Sequence, residues 1–516
     1  MYRSLLMITA LVSTCTVFSV SPRSANGMKR NGEFEIQVLD ETTKKPIAVR
    51  MHLLDPRGRP VKPPKFPFWK DHFVFYSTIV LDLRPGRYTF TMERGPEYPV
   101  RTGNFVIERG ATDNQTITMH RFVDMRKEGW WSGDLHIHRP PEDIPLLMQA
   151  EDLHVAPVIT WWNQRHTWKD DQVPDAQPVR TRAGDFYQLL AGEDERGGGA
   201  LLYFNLPRPL PLPDRNQREY PPMARFLELA KREFPECHVD IEKPFWWDVP
   251  VWIALGLADS IGLANNHMQR DGMLANEAWG KPRDTKVYPN PLGNGQWSQD
   301  IYYHLLNCGI RIAPSAGSAS GVLPNPVGYN RVYVHCGTRL DYKTWWENLR
   351  AGRVVVTNGP LLRPQVNGQL PGYVFHAGKG GSVTLSPQVN LALRDTVNYL
   401  EIVKNGKIAH EVRLDEYKNR RGHLPGIEFQ ESGWMLIRAV TTNAKTFRFA
   451  STGPYYVEIG QRPRISKESA QFFVDWVKQR IAQLELPDPE QRNAVMKYQL
   501  QALRFWEDKL RQANAP

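Results

Sequence analysis

The chain has 516 residues, of which 41% are hydrophobic, 23% are charged and 11% are aromatic. This length exceeds the roughly 100 to 200 residues of a usual single domain, and the composition excludes a largely disordered or collagen-like protein. The formal net charge of +10 is spread along the whole chain, so it gives no support to nucleic-acid binding. We therefore expect a folded multidomain protein with no nucleic-acid partner.

The first 25 residues have the three-part layout of a secretory signal peptide. Arg3 supplies a positive charge, residues 5–20 are apolar apart from Ser, Thr and Cys, and small residues follow at 19–21. The apolar run is shorter than the roughly 20 residues of a membrane-spanning helix. We expect removal of residues 1–25, a secreted or periplasmic location and no integral membrane segment after signal removal.

The next segment, residues 30–122, is predicted to form a small antiparallel β-sandwich. Polar and apolar residues alternate over three stretches, 33–40, 49–54 and 74–83. A period of two is typical of half-buried strands, and turn sequences such as Asp-Pro-Arg-Gly and Arg-Pro-Gly separate them. A further strand is expected at 87–92.

From residue 126 to 340, apolar strand-like runs alternate with longer helical stretches. The runs cover residues 155–160, 186–191, 200–205, 253–264 and 311–316. This alternation is typical of an α/β layer or a β/α barrel. Two irregular stretches, 206–222 and 271–298, are long loops that either line an active site or lie on the surface as plain insertions.

Strands return in the C-terminal part, and residues 341–462 are predicted to form a second β-sandwich. The pair Asn405-Gly406, flanked by apolar strands, is the strongest hairpin signal of the sequence. Residues 466–513 are predicted to form a helical hairpin, because an apolar stripe is followed by a helix-capping pattern at Asp488.

The first segment that carries chemistry is residues 132–138, which reads SGDLHIH. Side chains at i, i+2 and i+4 of a strand share one face, so Asp134, His136 and His138 can converge and the two imidazoles can bind one metal ion. Two hydrogen-bonded structural histidines explain the same pattern. Glu193 follows the apolar run 186–191 and is expected at the C-terminal end of a strand, where active sites of parallel sheets and barrels lie. A lone glutamate there can also be an ion-pair partner.

These motifs, with Ala-Gly-Arg at 351–353 and Thr-Asn-Gly-Pro at 357–360, resemble the PHP-type metallohydrolases of the CehA/McbA family. The resemblance extends from about residue 126 to 460. It implies a PHP-like distorted β/α barrel, flanked by the two β-sandwiches, that carries a cluster of divalent ions. Transferred residue by residue, it implies His136, His138 and Glu193 as metal ligands and Asp134 as a supporting carboxylate.

Three segments depart from the family pattern. Where the family usually has Thr-Asp-His, His-Pro and Gly-Ser-Asp-x-His, this chain reads Thr160-Trp161-Trp162-Asn163, Lys243-Pro244 and GSASG at 317–321. Several carboxylates and imidazoles of a multi-ion cluster are therefore missing. Two histidines and one glutamate suffice for one zinc ion with an open fourth position, and manganese or iron are alternatives.

Two further residues can restore the number of ligands. His267 follows an apolar strand and is expected at the same rim, and Glu242 precedes Lys243. Each is either a metal ligand or a residue without a role in the site. In the second case His267 is expected to bond to the backbone, and Glu242 is expected to be solvated beside Lys243. We assign Asp134 and His267 to the catalytic set.

The chain has 16 tryptophans, and eight of them form adjacent pairs, at 130/131, 161/162, 246/247 and 345/346. Consecutive residues of a strand point to opposite faces, so each pair can place one indole in the core and one at the surface. Indoles at a barrel mouth can stack on a sugar or an aromatic substrate, whereas indoles that fill domain interfaces are the alternative. We assign five residues to substrate binding: Trp161, Trp162, Asn163, Lys243 and Asn266.

The sequence therefore predicts a secreted hydrolase in which a metal-activated water attacks an ester, amide or phosphoester bond of a small-molecule or glycan substrate. The alternative is a catalytically degenerate PHP-like protein that binds a ligand such as a carbohydrate and serves in adhesion. The retained His-x-His pattern favours the hydrolase, and the missing family ligands favour the binding protein.

Overall fold

The computed structural model describes residues 31–169, 172, 174 and 177–516. The predicted signal peptide, residues 1–25, lies outside the described residues. The described chain divides into two compact units, one of residues 31–94 with 98–122 and one of residues 95–97 with 123–516. Strands in large sheets dominate, with fewer helices. The prediction of a multidomain protein with α/β and β-rich parts is confirmed at this level.

The first unit has eight strands: β1 Gly32–Asp40, β2 Ala48–Leu54, β3 Phe68–Trp69, β4 His72–Tyr76, β5 Thr78–Leu83, β6 Gly86–Glu93, β7 Arg101–Ile107 and β8 Thr112–Met119. They form one sheet in the order β5-β1-β8 and a second sheet in the order β3-β4-β2-β6-β7. Apolar side chains of both sheets share one core, in which the rings of Phe34 and Phe105 lie 4.3 Å apart.

Two details of this unit differ from the prediction. The prediction of an entirely antiparallel sandwich is wrong, because β1 and β8 run parallel. The single strand expected over 74–83 is also wrong. Ser77 has a φ of 65° and separates β4 from β5, which then join different sheets. A residue in the left-handed region interrupts a strand, since extended backbone requires a negative φ.

The second unit begins with alternating strands and helices. These are β9 Trp130–Gly133, α1 Ile144–Glu151, β10 Val155–Trp162, β11 Arg165–His166, β12 Val179–Arg180, β13 Phe186–Arg196, β14 Gly199–Phe204, α2 Met223–Glu233, β15 His238–Ile241, α3 Val249–Leu255, β16 Ser260–Ala264, β17 Met268–Gln269, β18 Gly272–Met273, α4 Gly293–Asn307 and β19 Ala313–Ala316. The strand predicted over 253–264 is wrong in its first part, which is the end of α3. Gly256, with a φ of 68°, ends that helix.

Hydrogen bonds connect these strands along a path that returns to its start. β10 pairs in parallel with β9 and β13. β13, β14 and β15 then pair antiparallel, and β15, β16 and β19 pair in parallel. Past β19, the amide of Leu135 donates to the carbonyl of Ala316 at 3.0 Å, and the amide of His138 donates to the carbonyl of Ser320 at 2.7 Å. Residues 134–138 therefore bond to the last strand of the path at Ala316 and to the loop that follows it at Ser320.

The remaining strands of this unit are β20 Arg331–His335, β21 Val354–Thr357, β22 Leu361–Val366, β23 Val374–Ala377, β24 Val383–Leu385, β25 Pro387–Ala392, β26 Val397–Lys404, β27 Lys407–Arg413, β28 Ile427–Phe429, β29 Gly433–Thr441, β30 Phe449–Thr452 and β31 Tyr455–Ile459, with helices α5 Tyr342–Arg350 and α6 Leu414–Asn419. The hairpin at Asn405-Gly406 is confirmed. Lys404 pairs with Lys407, and both turn residues have positive φ, as a two-residue turn requires.

The two C-terminal helices expected from the sequence are confirmed as α7 Lys467–Gln483 and α8 Pro489–Arg511. The rings of Phe473 and Trp506 stack with centroids 4.3 Å apart. The indole of Trp506 donates to the carbonyl of Pro250 at 3.0 Å, which fixes α8 on α3. Among the described residues, no helix combines the length and the apolar character that crossing a bilayer requires.

The start of α8 tests the predicted helix cap at Asp488. The Asp488 carboxylate accepts hydrogen bonds from the amides of Glu490 at 2.8 Å and Gln491 at 2.9 Å. We expect Asp488→Ala to lower the free energy of unfolding by about 1 kcal/mol, because two amides of the first turn lose their acceptor. Thermal unfolding measured beside Glu485→Ala, which removes the same charge from an exposed position, checks this. Equal losses in the two variants would contradict it.

Candidate metal centre

The expectation that residues 134–138 form a strand is wrong, because β9 ends at Gly133 and this segment continues with isolated bridges at Ile137 to Val158 and Ser320. Leu135, Ile137 and Asp134 are fully buried, and His136 is 4% exposed. The third metal-site residue, Glu193, lies on β13, where it pairs with Trp162 of the neighbouring β10. The expectation that Glu193 ends its strand is wrong, since β13 continues to Arg196. The two segments that supply the three side chains flank β10, which bonds to Ile137 on one side and to β13 on the other.

The side chains of His136, His138 and Glu193, which we call the triad, meet at one point. Their imidazole Nε2 atoms lie 3.1 Å apart. The Glu193 carboxylate oxygens lie 3.5 Å from Nε2 of His136 and 3.1 Å from Nε2 of His138. Ligand bonds of about 2.0 to 2.1 Å at a tetrahedral centre place ligand atoms about 3.3 Å apart. The triad therefore has the donor types and the spacing to hold one divalent ion.

Glu242 contacts His136, one of the triad residues. Its Oε1 lies 3.2 Å from Nδ1 of His136, the ring nitrogen that faces away from the triad. A carboxylate at Nδ1 fixes the tautomer and leaves the Nε2 lone pair free for a metal ion. Burial alone would raise the pKa of Glu242, but Lys243 and His136 lower that pKa below its usual value. Glu242 is thus an ionised partner of a triad histidine and lies outside the group of ligand atoms.

Lys243 and Asn266, both assigned to substrate binding, contact Glu242. The Lys243 ammonium lies 2.5 Å from the Glu242 carboxylate and 4.5 Å from the centre of the Trp246 ring. The Asn266 amide donates to Glu242 Oε1 at 2.8 Å. Both side chains are buried, with exposed fractions of 3% for Lys243 and 6% for Asn266. Their observed contacts orient Glu242 and match its charge.

Asp134, assigned to the catalytic set, bonds to the backbone of three chain segments. Its Oδ1 accepts hydrogen bonds from the amides of His136 and Ser318, each at 3.0 Å. Its Oδ2 accepts a hydrogen bond from the amide of Gly328 at 2.7 Å. The side chain is fully buried. Asp134 therefore fixes the backbone that carries His136 against the loop that follows β19.

His267, the other residue assigned to the catalytic set, lies outside the triad. Its ring packs on Phe245 with centroids 5.2 Å apart, and its amide donates to Asn265 Oδ1 at 3.1 Å. Burial, with Lys243 nearby, lowers the pKa of His267 to about 3, so the imidazole is neutral at physiological pH. Its Nδ1 is buried and has no hydrogen-bond partner among the described residues.

The three residues at the end of β10 have different environments. Trp161 is buried, and its indole donates to the carbonyl of Leu190 at 3.0 Å. Trp162 is partly exposed and lies edge-on to the His138 ring, with centroids 5.0 Å apart. Asn163 donates to Asp194 at 2.7 Å. Trp162 is the member of this group that borders the triad.

The other tryptophan pairs correct one expectation. The pair at 130/131 has one buried and one partly exposed indole, as alternation on a strand predicts. Both indoles are buried in the pairs 246/247 and 345/346, so the prediction of one surface indole in each pair is wrong there. These two pairs lie off the strands, and 345/346 belong to α5. Successive helical residues are about 100° apart, so both can face a core.

Sequence reasoning missed Glu195. It lies two residues after Glu193 on β13, and side chains at i and i+2 of a strand share a face. Burial, with the nearby carboxylates of Glu193 and Glu242, raises the pKa of Glu195 to about 8. Its amide donates to Asn163 Oδ1 at 2.6 Å. The alternation along β13 was the signal that could have identified this residue.

A buried carboxyl group on β15 gives a pH prediction. Asp240 accepts hydrogen bonds from the hydroxyls of Ser260 and Ser315. Burial raises the pKa of Asp240 from its usual 3.8 to about 7. The folded state therefore binds this proton more tightly than the unfolded state, so the stabilisation is complete below pH 3.8 and is lost as the pH rises towards 7.

We expect Asp240→Asn to remove this loss, because the amide is neutral at every pH of the experiment. The melting temperature of the variant relative to wild type should rise from about pH 4 to about pH 7 and stay level above that. Thermal unfolding across that range measures the difference. A constant difference between the two proteins would contradict the raised pKa.

The comparisons with known proteins identify no family. No family model matches the chain, and a search of curated proteins found no match. Three solved structures are similar. The Bacillus anthracis TIE protein is 20% identical over 21% of this chain and 19% of its own, with a TM-score of 0.14. Apo Bacteroides uniformis β-glucuronidase 3 is 10% identical over 82% of this chain and 62% of its own, with a TM-score of 0.17.

A Parabacteroides merdae β-glucuronidase with glycerol in its active site is 11% identical over 80% of this chain and 59% of its own, with a TM-score of 0.16. This chain thus covers less than two thirds of each of the three proteins. Their TM-scores are too low to support an argument about fold or activity.

Proposed function

We propose that the chain is an exported metal-dependent hydrolase that uses water to cleave an ester, amide or phosphoester bond of a small-molecule or glycan substrate. The observation that carries the proposal is the triad. In this buried site the two Nε2 atoms lie 3.1 Å apart and each lies 3.1 to 3.5 Å from one of the two Glu193 oxygens, which suits one bound ion. Buried imidazoles and carboxylates in such an arrangement are typical of metal centres.

For residues 126–340 we propose the PHP-like distorted β/α barrel of the CehA/McbA family. The strand path from β9 to β19 returns to residues 134–138 through two backbone hydrogen bonds, as a closed barrel requires. The triad residues lie on the two segments of that path that flank β10. The proposed flanking parts are β-sandwiches at 30–122 and 341–462 and a helical hairpin at 466–513.

The proposed ion is one zinc, with manganese or iron as alternatives. A divalent ion at the triad would supply a Lewis acid that lowers the pKa of water to about 7. The chain's own contribution is to orient the ligands: Glu242 holds His136, and Asp134 holds the backbone of the same residue. Trp162 adds a partly exposed indole beside His138 that suits an apolar or sugar group.

A hydrolysis assay tests the proposal. Zinc-loaded wild type and the double variant His136→Ala/His138→Ala are compared on a panel of activated esters, amides and phosphoesters. We expect turnover by the wild type on at least one substrate class and background rates for the variant. Equal rates for the two proteins over the whole panel would overturn the proposal.

The partly exposed Trp162 indole favours a second candidate, a glycan-binding protein without catalysis. Aromatic rings at a concave site stack on sugar faces. On a glycan array, this candidate predicts binding by wild type and loss of binding by Trp162→Ala. Array binding that does not depend on Trp162 would contradict it.

A further inference from the structure

A second group of metal-ligand side chains lies in the first unit. Nδ1 of His52, on β2, lies 3.0 Å from Asp71 Oδ2, and Nδ1 of His72, on β4, lies 2.9 Å from Asp71 Oδ1. The ligand atoms of the three residues all lie within 4.8 Å of one another. Both imidazoles are buried, with exposed fractions of 7% for His52 and 2% for His72.

The fold places these side chains together for local reasons. β2 and β4 are antiparallel neighbours, and the register that pairs Met51 with Phe73 puts His52 opposite His72. Directly opposite residues of such a pair have Cβ atoms about 4.5 to 5.5 Å apart. Asp71 lies in the turn that joins β3 to β4, where its amide donates to the carbonyl of Trp69 at 2.6 Å. Cross-strand pairing and a tight turn thus position all three donors.

We propose that His52, Asp71 and His72 bind a second divalent ion of the zinc class, independent of the hydrolase site. Two imidazoles and one carboxylate suit zinc, and nitrogen-to-oxygen spacings of 2.9 and 3.0 Å lie close to the roughly 3.3 Å between ligands of a tetrahedral centre. The Asp71 side chain is 42% exposed, so an ion can reach the site from solvent. The fourth position then belongs to water or to a small anion.

The surrounding charges permit this ion. Arg50 and Glu93, on neighbouring strands of the same sheet, form an ion pair at 2.9 Å, so the Arg50 charge is matched. Asp71 remains as the anion that faces the two imidazoles. Metal binding shifts the proton of each neutral imidazole from Nδ1 to Nε2, so both rings stay neutral ligands. The ion would join β2 to the β3–β4 turn, which is a structural role.

Without metal, the same residues form a hydrogen-bonded cluster in which Asp71 accepts from both rings. The measurement that separates the two states is the zinc content of the full-length protein, determined by elemental analysis after saturation with zinc chloride and removal of free ion. We expect about one fewer ion per chain in His52→Ala/His72→Ala than in wild type. Loss of the triad by His136→Ala/His138→Ala removes a different ion, so the quadruple variant reports on both sites.

A matched control and a milder variant complete the test. His120→Ala removes an exposed histidine of the same unit whose Nδ1 lies 2.6 Å from Glu41 Oε2, and it should leave the zinc content unchanged. Asp71→Asn keeps the size of a half-exposed side chain but removes the charged ligand, and we expect its zinc affinity at this site to fall at least 10-fold. Zinc content equal to wild type in both His52→Ala/His72→Ala and Asp71→Asn would overturn the proposal, whatever the hydrolysis assay gives.

Discussion

Glu193→Gln is expected to lower the turnover of an activated ester or phosphoester by a factor of about 100 or more and to weaken metal retention. The substitution keeps the size of a buried side chain but replaces a carboxylate oxygen that lies 3.1 Å from His138 Nε2 with a neutral amide. A neutral amide binds a divalent ion less well than a carboxylate does. Steady-state kinetics at a fixed zinc concentration, with zinc content measured on the same samples, checks both effects.

Glu401→Gln is the matched control for this variant. Glu401 on β26 pairs with Arg438 at 2.5 Å, so the same chemical change removes a paired carboxylate elsewhere in the chain. We expect turnover and zinc content near those of wild type. A Glu193→Gln protein that keeps wild-type turnover and zinc content would contradict the assignment of Glu193 as a ligand.

Asp134→Ala is expected to lower the free energy of unfolding by roughly 3 to 5 kcal/mol. The fully buried carboxylate accepts three backbone amides, and its removal leaves those of His136, Ser318 and Gly328 buried without their acceptor. Each unpaired buried donor costs about 1 to 3 kcal/mol. Urea unfolding followed by tryptophan fluorescence measures the loss.

Asp134→Asn provides the comparison. The asparagine side chain keeps one oxygen that can accept hydrogen bonds from backbone amides. We therefore expect a smaller loss of unfolding free energy than for Asp134→Ala. If Asp134→Ala stays within about 1 kcal/mol of wild type, the carboxylate does not hold the three segments together. In that case its three hydrogen bonds would contribute little to the free energy of unfolding.

The sequence predicted those parts of the site that depend on local periodicity. The His-x-His spacing was sufficient to predict that His136 and His138 meet, whereas Asp134, expected on the same face, instead accepts hydrogen bonds from the amides of Ser318 and Gly328. The hairpin at Asn405-Gly406 was also predictable from neighbouring residues, because its turn type requires positive φ at both positions and Asn and Gly tolerate it. Local rules need only neighbouring residues.

Other features depend on contacts between distant residues. The partnership of Glu242 with His136 joins residues that are far apart in the chain, and a single sequence carries no signal for it. The parallel pairing of β1 with β8 is likewise a consequence of the two-sheet topology. Two of the three amide contacts of Asp134, those from Ser318 and Gly328, depend on how the loop after β19 returns to the segment that follows β9. Such features follow from the fold as a whole.

The central claim, that His136, His138 and Glu193 hold one divalent ion, is tested most directly by anomalous diffraction at the zinc edge from crystals of the zinc-loaded protein. We expect a peak about 2.0 to 2.2 Å from Nε2 of both histidines and from a Glu193 oxygen. A separate peak beside Asp71 bears on the second site alone. Hydrogen-bonded histidines without a peak between them, at saturating zinc, would contradict the central claim.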